Sequence, residues 1–553
     1  MTNAPTQSGA KMAPLADVCD AEWWRGAVIY QIYPRSFVDT NSDGVGDLPG
    51  ILSQLDYVAQ LGVDGIWLSP FFTSPMHDFG YDVANYCDVD PVFGSLEDFD
   101  AIIAKSHDLG LKVIIDQVYS HTSDQHAWFQ ESQQDKTNPK ADWFVWADPK
   151  LDGAPPNNWQ SVFGGPAWAW SSRRKQYYLH NFLTEQPDLN LHNKVVQDAL
   201  LEVARFWLDR GVDGFRLDAI NFAMHDPALR DNPPAPDDGR PKSRPYDYQS
   251  HTRNMSHPDI PIFLKRLRAV TNEYDGIFTV AEVGGPNPVE EMKAFTADND
   301  RLNSAYNFSF LYADQLTPQL TRMAVGAWRP DKNEGWPAWA FSNHDAPRAV
   351  SRWADADDAN EAAKLYAMIL LSLRGNAFIY QGEELGLPQA NVPFEMLQDP
   401  EAIENWPHTL GRDGARTPMP WRHNKPNAGF SNGAPWLPVD QKHLMLSVDI
   451  QEADKDSTLN FMRRLIAARK ATACLRHGDI AFVDDADGML AYYRNTPHEE
   501  ALCVFNITDT PRSWKPLGAN QFERLIDLGI DPAIDGLPQV IQPRSGYIAI
   551  KSR

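Results

Sequence analysis

The chain has 553 residues, 43% of them hydrophobic and 22% charged, enough for a large core and for more than one ordinary domain. A formal net charge of −24 with no basic stripe excludes nucleic acid and anionic membrane surfaces as partners. No run approaches the roughly 20 apolar residues of a membrane span.

Residues 1–22 are small and polar and lack the apolar block of a secretory signal, so they read as a flexible tail on a cytoplasmic protein. The cysteines, Cys19, Cys87, Cys474 and Cys503, form no CxxC pair. They read as free thiols in a reducing compartment, against both a zinc cluster and a disulfide scaffold. The 18 Trp and 18 Tyr supply flat faces of the kind that stack on sugar rings, though most of them are expected to fill the core.

In chain order, apolar runs at 27–33, 65–69, 112–118, 214–220, 277–283, 305–310, 338–343 and 377–381 read as strands. Amphipathic segments at 48–61, 96–109, 194–209, 261–274 and 359–373 read as helices between them. This alternation predicts an α/β fold, a parallel sheet closed as a (β/α)₈ TIM barrel spanning 23–120 and 186–474. An open doubly wound sheet is the rival; nucleotide-binding versions of it lose support because no GxGxxG turn or GxxxxGK[ST] loop is present.

Residues 121–185, rich in Trp, Pro, Gly and Asn with no helical period, read as an excursion domain after strand 3. A second insertion at about 387–442 follows the eighth strand. Both leave from strand C-termini, where barrel active sites lie, and so are expected to wall the pocket. After a helix near 459–469, short runs within 475–553 predict a C-terminal antiparallel β-sandwich.

Carboxylates recur at the expected strand ends: Asp116, Asp218, Glu282 and Asp345. One alone would read as a structural ion pair; four converging on one rim read as a catalytic cluster. Arg216 lies two residues from Asp218, so their side chains share a face and the guanidinium is expected to keep Asp218 ionised as a nucleophile. Glu282, near other negative charges, is expected to carry the proton. Two carboxylates in these roles define a retaining glycosidase with a covalent glycosyl intermediate. His121, His344 and Asp345 are candidates for holding sugar hydroxyls.

The segments 116–121 (DQVYSH), 214–218 (GFRLD), Glu282 after Thr-Val-Ala, and 342–345 (SNHD) resemble the four ordered signature regions of glycoside hydrolase family 13, the α-amylase family. Residues 186–190 (QPDLN), 23–37 and 411–421 resemble its α-glucosidase and oligo-1,6-glucosidase branch. The resemblance covers the chain from about Trp23 onward. It implies Asp218 as nucleophile, Glu282 as general acid/base and Asp345 as the carboxylate that binds and distorts the reacting glucose. Asp116, His121, Arg216 and His344 would complete that subsite, with Tyr81 stacked on the ring. Asp78 and Arg412 would pair to close the pocket behind the non-reducing end, and Phe163 and Phe182 would wall the +1 side or else belong to the core. In this branch the residue after the nucleophile tracks linkage, and Ala219 implies a preference for α-1,4 bonds. A methyl-scale difference there is worth about 1–3 kcal/mol.

Two departures matter. Ser120 stands where the first region usually has Asn, a calcium ligand in α-amylases, so that calcium site is not expected. Asp39, Asn41, Asp43, Val45 (through its carbonyl) and Asp47 resemble the start of an EF-hand loop, but Gly50 stands where the closing Glu would be. Related α-glucosidases carry Ca²⁺ or Mg²⁺ in such a loop, which implies a structural dication here and no organic cofactor. The alternative is a solvated acidic turn.

The expected function is an exo-acting retaining α-glucosidase acting on maltose-like substrates and short malto-oligosaccharides, with transglucosylation when a sugar replaces water. Oligo-1,6-glucosidase, sucrose hydrolase and sucrose or maltose isomerase are same-family alternatives, with isomaltose or sucrose as substrate. A non-catalytic carbohydrate-binding or transporter-associated relative is the alternative of a different class. Oligomeric state is not legible.

Overall fold

In a computed structural model, the protein is described from residue 20 to 553, apart from 238, 240, 241, 243, 329–334, 356, 357, 408, 410, 485, 516, 517 and 535. The tail expected at 1–22 therefore lies, up to residue 19, outside the described residues, as does Cys19.

Eight parallel strands close into a barrel: β1 (Val28–Ile32), β2 (Gly65–Leu68), β3 (Lys112–Val118), β4 (Gly214–Asp218), β5 (Phe278–Val283), β6 (Ser304–Asn307), β7 (Trp336–Ala340) and β8 (Asn376–Tyr380). Each strand is buried along its length, as continuous apolar runs require when helices cover the outside. Alternation divides each strand between two cores. On β1, Val28, Tyr30 and Ile32 face the layer between strands and helices, whereas Ile29 joins Trp67, Ile114, Val280, Tyr306 and Phe378 inside the barrel. Trp24 stacks on Phe278 within that inner core, at 5.6 Å between ring centroids.

The outer helices start on local signals. Asp47 accepts from the Gly50 N–H at the head of Leu48–Leu61, which ends at Gly62 in the left-handed conformation. Ser95 and Asp98 form a reciprocal capping box on Leu96–Asp108. Asn193 caps Lys194–Asp209, whose Val196, Leu200, Val203 and Trp207 face the core. Helices Pro288–Thr296 and Pro318–Gly326 complete the βα alternation after β5 and β6. Among the described residues no helix is long and apolar enough to cross a membrane.

Between β3 and β4, a three-stranded antiparallel sheet of Trp146–Ala147, Trp168–Ser171 and Gln176–Leu179 packs on its own small core around Trp159. The segment also contains the helix Ala127–Ser132, which corrects the reading of no helical period. Its six residues span fewer than two turns, too few for a period to show. At the C-terminus β9 (Asp479–Phe482), β10 (Leu490–Asn495), β11 (Glu499–Asn506), β12 (Glu523–Leu528) and β13 (Ser545–Ser552) form an antiparallel sheet. One face, with Tyr492, Cys503 and Ile548, joins the main core. The other, with Leu502, Val504 and Tyr547, packs with Ile541 of a short ribbon, Arg512–Ser513 with Val540–Ile541.

Candidate active site

The site is built at the C-terminal ends of the strands. Gly214 begins β4 so close to β5 that a Cβ would lie 2.3 Å from the Phe278 carbonyl oxygen. Only glycine fits that approach, which sets the register pairing Arg216 with Val280 on one side and with Asp116 on the other. The period of two then turns both Arg216 and Asp218 into the barrel mouth.

Arg216 is fully buried and organises three carboxylates. Its Nη1 donates to Asp116 Oδ1 at 2.6 Å and to Asp218 Oδ1 at 2.7 Å. Its Nη2 lies 2.7 Å from Glu282 Oε1, an ion pair whose N–H points off the hydrogen-bond line. Tyr306 Oη donates to Glu282 Oε1 at 3.0 Å, and Trp67 Nε1 donates to Asp116 Oδ2 at 2.8 Å.

One guanidinium does not neutralise three acids. Burial pushes Asp218 well above the usual carboxylate range; Arg216 opposes this, while Glu282, Asp116 and Asp345 add to it. Arg216, expected to favour the ionised form of Asp218, does so, but it offsets only part of the opposing desolvation and like charge. Burial likewise pushes Asp116 up to about 6 against the pull of Arg216.

Asp345, beyond β7, is the opposite case. Burial would raise it, but His344, Arg416 and Arg412 together hold it below the usual range. Its Oδ1 accepts from Arg416 Nη2 at 2.6 Å and lies 3.5 Å from Arg412 Nη1. Burial lowers His344 itself to about 3, so at neutral pH the two arginines supply the positive charge. His344 stacks on Tyr81 at 5.4 Å between centroids, and its Nε2 is hydrogen-bonded to Tyr81 Oη. Burial also lowers His121 to about 4; its Nε2 faces Gln186 Nε2 at 3.1 Å and its Nδ1 bonds Ser120 Oγ at 2.9 Å.

A cavity of about 690 Å³ opens over these groups, sized for a short sugar. Asp78, Tyr81, His121, Phe163, Phe182, Asp218, Ala219, Glu282, Asp345 and Arg412 all line it, whereas Asp116, Arg216 and His344 lie just beneath. Arg412 Nη2 donates to Asp78 Oδ1 at 2.8 Å, and the pair is buried in the cavity lining. The guanidinium also lies 5.1 Å above the Phe163 ring.

Several residues at the site carried no earlier reading. Asp399 grips Arg412 through Nη2 at 2.8 Å, Nε at 3.1 Å and the backbone N–H at 2.6 Å. Arg416 was visible as a second arginine four residues after Arg412, on one face of the short helix Asp413–Arg416. Arg244 bridges the two insertions at the cavity mouth, donating to the Val162 carbonyl at 3.0 Å and to Glu401 Oε1 at 3.1 Å.

The loop expected to hold a dication is curled by its own hydrogen bonds. Asp39 accepts from the Ser42 and Gly44 N–H groups, Asp43 from Val45, and Asp47 from Thr40 and Gly50. Asp39 and Asp47 are buried, and among the described residues neither has a lysine or arginine within 4.0 Å. Two buried acids and oxygen-only donors fit a hard cation.

Carboxylates around a sugar-sized cavity at the C-terminal mouth of a closed parallel barrel are the equipment of a barrel glycoside hydrolase. The chain belongs to the α-amylase family, whose catalytic-domain model matches residues 31–478. It is 55% identical over 497 residues to a probable α-glucosidase of Rhizobium meliloti (strain 1021), covering 89% of this chain and 90% of the relative. It is 37% identical over 529 residues to an oligo-1,6-glucosidase of Heyndrickxia coagulans, covering 89% and 93%. Among solved structures it resembles the α-glucosyl transfer enzyme XgtA, with a TM-score of 0.92 and 51% identity over 96% of this chain and 99% of that one.

Proposed function

We propose that this chain is an exo-acting retaining α-glucosidase that removes terminal glucose from short α-glucosides. The observation that carries the reading is that Asp218 and Glu282 lie on the two Nη atoms of one guanidinium, in a cavity also lined by the ion-paired Asp78 and Arg412. Two acids held a guanidinium's width apart suit the short spacing of a retaining pair, about 5–5.5 Å, better than the wider gap that admits an inverting water. The Asp78–Arg412 stopper leaves room for one glucose beyond the cut.

Asp218 attacks the anomeric carbon while Glu282 protonates the leaving oxygen. Glu282 then takes a proton from a water whose oxygen bonds to the anomeric carbon as the bond to Asp218 breaks, which releases α-glucose and restores both carboxyl groups. The excess of acids over Arg216 keeps one proton in the cluster, and the Tyr306 hydroxyl fixes the Glu282 carboxyl near the leaving oxygen. Asp345, ionised between Arg412 and Arg416, grips sugar hydroxyls beside His344, His121 and Asp116. Tyr81 stacks on the reacting ring. Phe163 and Phe182 wall the +1 side, and Asp116 and Arg216 hold the cluster in register.

Transfer to a sugar hydroxyl competes with hydrolysis. The apolar wall of Phe182, Phe222, Tyr246, Met255 and Phe308 keeps water sparse around an acceptor, and the resemblance to the glucosyl transfer enzyme supports this second outcome. ¹H NMR of the hydrolysis of a nitrophenyl α-glucoside, whose leaving group is not a sugar, is expected to show α-glucose first, and maltose is expected to be turned over faster than isomaltose or sucrose. First release of β-glucose would overturn the retaining mechanism, and faster isomaltose turnover would overturn the linkage preference.

The α-1,4 preference rests on Ala219, which lines the cavity in a left-handed conformation with φ 38°. Ala219→Val is expected to shift the maltose-to-isomaltose ratio of kcat/KM about tenfold toward isomaltose. A β-branched residue is poorly accommodated at positive φ, so the variant is also expected to melt at lower temperature.

Within the same proposal, the barrel at 23–120 and 186–474, the excursion unit 121–185 and the C-terminal unit 475–553 are the folding units. Cys87, Cys474 and Cys503 stand as free thiols, which supports a cytoplasmic setting. Asp39, Asn41, Asp43, Asp47 and the Val45 carbonyl would hold Ca²⁺ or Mg²⁺, which neutralises two buried acids and takes no part in the chemistry. Chelation by EDTA is expected to lower Tm by several degrees, with recovery on adding Ca²⁺ or Mg²⁺. A Tm indifferent to both would reduce the loop to an acidic turn.

A further inference from the structure

Outside the cavity, His192, His257 and Asp259 each bring one ligating atom to a common point, all within 4.8 Å of one another. His192 lies two residues before the helix Lys194–Asp209, and His257 and Asp259 immediately precede its neighbour Ile260–Thr271. None of the three lines the sugar cavity.

Their hydrogen bonding fixes the tautomer of both imidazoles. His192 Nε2 is 2.8 Å from the His225 carbonyl oxygen. A carbonyl only accepts, so Nε2 carries the proton and the Nδ1 lone pair stays unshared. A bond of this kind is what orients a metal-binding histidine from its far side. His257 Nδ1 accepts a long bond from the Asp259 N–H at 3.3 Å, so it too is unprotonated on the side facing Asp259. Its distance to Asp259 Oδ2 is 3.8 Å, a little wider than the roughly 3.4 Å between two tetrahedral ligands about 2.1 Å from a cation, so a small rotation of the exposed carboxylate would close it.

Asp259 occupies the N-cap position of Ile260–Thr271, yet its side chain makes no capping bond. That use is the ordinary one for an aspartate in this place. Its carboxylate is instead 54% exposed, which leaves the cluster an open approach from solvent. The two imidazoles pack edge to face at 4.9 Å between centroids, so the set is held together before any ion arrives.

We propose that His192, His257 and Asp259 form a binding site for a borderline transition-metal dication of the Zn²⁺ or Ni²⁺ class, which ties together the starts of two adjacent barrel helices. Two imidazoles and one carboxylate select such ions over Ca²⁺ or Mg²⁺, which prefer oxygen alone. This site is separate in place and in ion chemistry from the acidic loop at 39–47. Water completes the coordination. With no sugar-binding side chain among its ligands, the ion acts as a clamp between helices.

The test uses the purified full chain stripped with a chelator and titrated with Zn²⁺ by calorimetry, with Tm followed in parallel. One equivalent of Zn²⁺ per chain is expected to bind and to raise Tm, undisturbed by excess Ca²⁺. His257→Gln and Asp259→Asn are each expected to weaken binding at least about tenfold. Maltose turnover and the metal-free Tm of Asp259→Asn should match those of wild type. If His257→Gln fails to fold, the exposed Asp259→Asn change decides alone. Absence of Zn²⁺ binding by wild type, or undiminished binding by Asp259→Asn, overturns the site.

Discussion

Asp218→Asn is expected to lose at least about 10⁴-fold in kcat on maltose, about 5 kcal/mol of transition-state stabilisation, because an amide neither attacks the anomeric carbon nor carries charge to it. The same change is expected to raise Tm. Burial raises the Asp218 carboxyl above its unfolded value, so the folded state holds its proton more tightly. The ionised side chain therefore costs stability once pH rises above the unfolded pKa, and the cost grows until pH passes the folded value. At neutral pH the amide removes that cost, while Arg216 keeps Asp116 and Glu282 as partners. Calorimetric melts between pH 4 and 8 measure it: the Tm advantage of Asp218→Asn should widen with rising pH. A variant of normal activity would refute the nucleophile, and a lowered Tm at pH 7 would refute the crowded-acid account of the cluster.

Arg412→Ala is expected to be the most damaging change at the rim. It strips a buried guanidinium from Asp78 and Asp399 at once, and breaking a buried pair from one side costs about 3–5 kcal/mol. It also opens the closed end of the cavity, so kcat/KM for maltose should fall about 100-fold or more while longer malto-oligosaccharides lose less. Asp78→Asn leaves Arg412 with Asp399 and should be milder. A double-mutant cycle of Asp78→Asn with Arg412→Met, read in both Tm and chain-length preference, measures the coupling directly. If the singles leave chain-length preference unchanged, the pair does not close the pocket.

Much of the barrel was legible because its strands and helices are locally self-consistent. Lys112–Val118 and Lys194–Asp209 occur at the residues expected, the first marked by the β-branched run Val113–Ile115 and the second by a strong 3.6-residue period capped by Asn193. The sixth and seventh strands ended sooner than expected, at Asn307 and Ala340. Phe310 and Phe341–Asn343 are buried without being strand, so burial beyond the strand ends reads in the sequence as more strand.

The sequence by itself determined the alternation that closes the barrel, the strand-end placement of Asp116, Asp218 and Glu282, and the pairing of Arg216 with Asp218 on one face. Each depends on spacing within a few residues, and local spacing is what a sequence displays. The tertiary structure alone decided that three acids share a single guanidinium, that Asp399 braces Arg412 from across a loop, that Arg244 joins the two insertions, and that His192 meets His257. Apart from Arg216 with Asp218, those contacts join residues 13 to 157 positions apart. It also decided the direction of the Asp218 shift, because desolvation depends on everything packed around a carboxylate, and a neighbour two residues away on the strand supplies only one of the charges it meets.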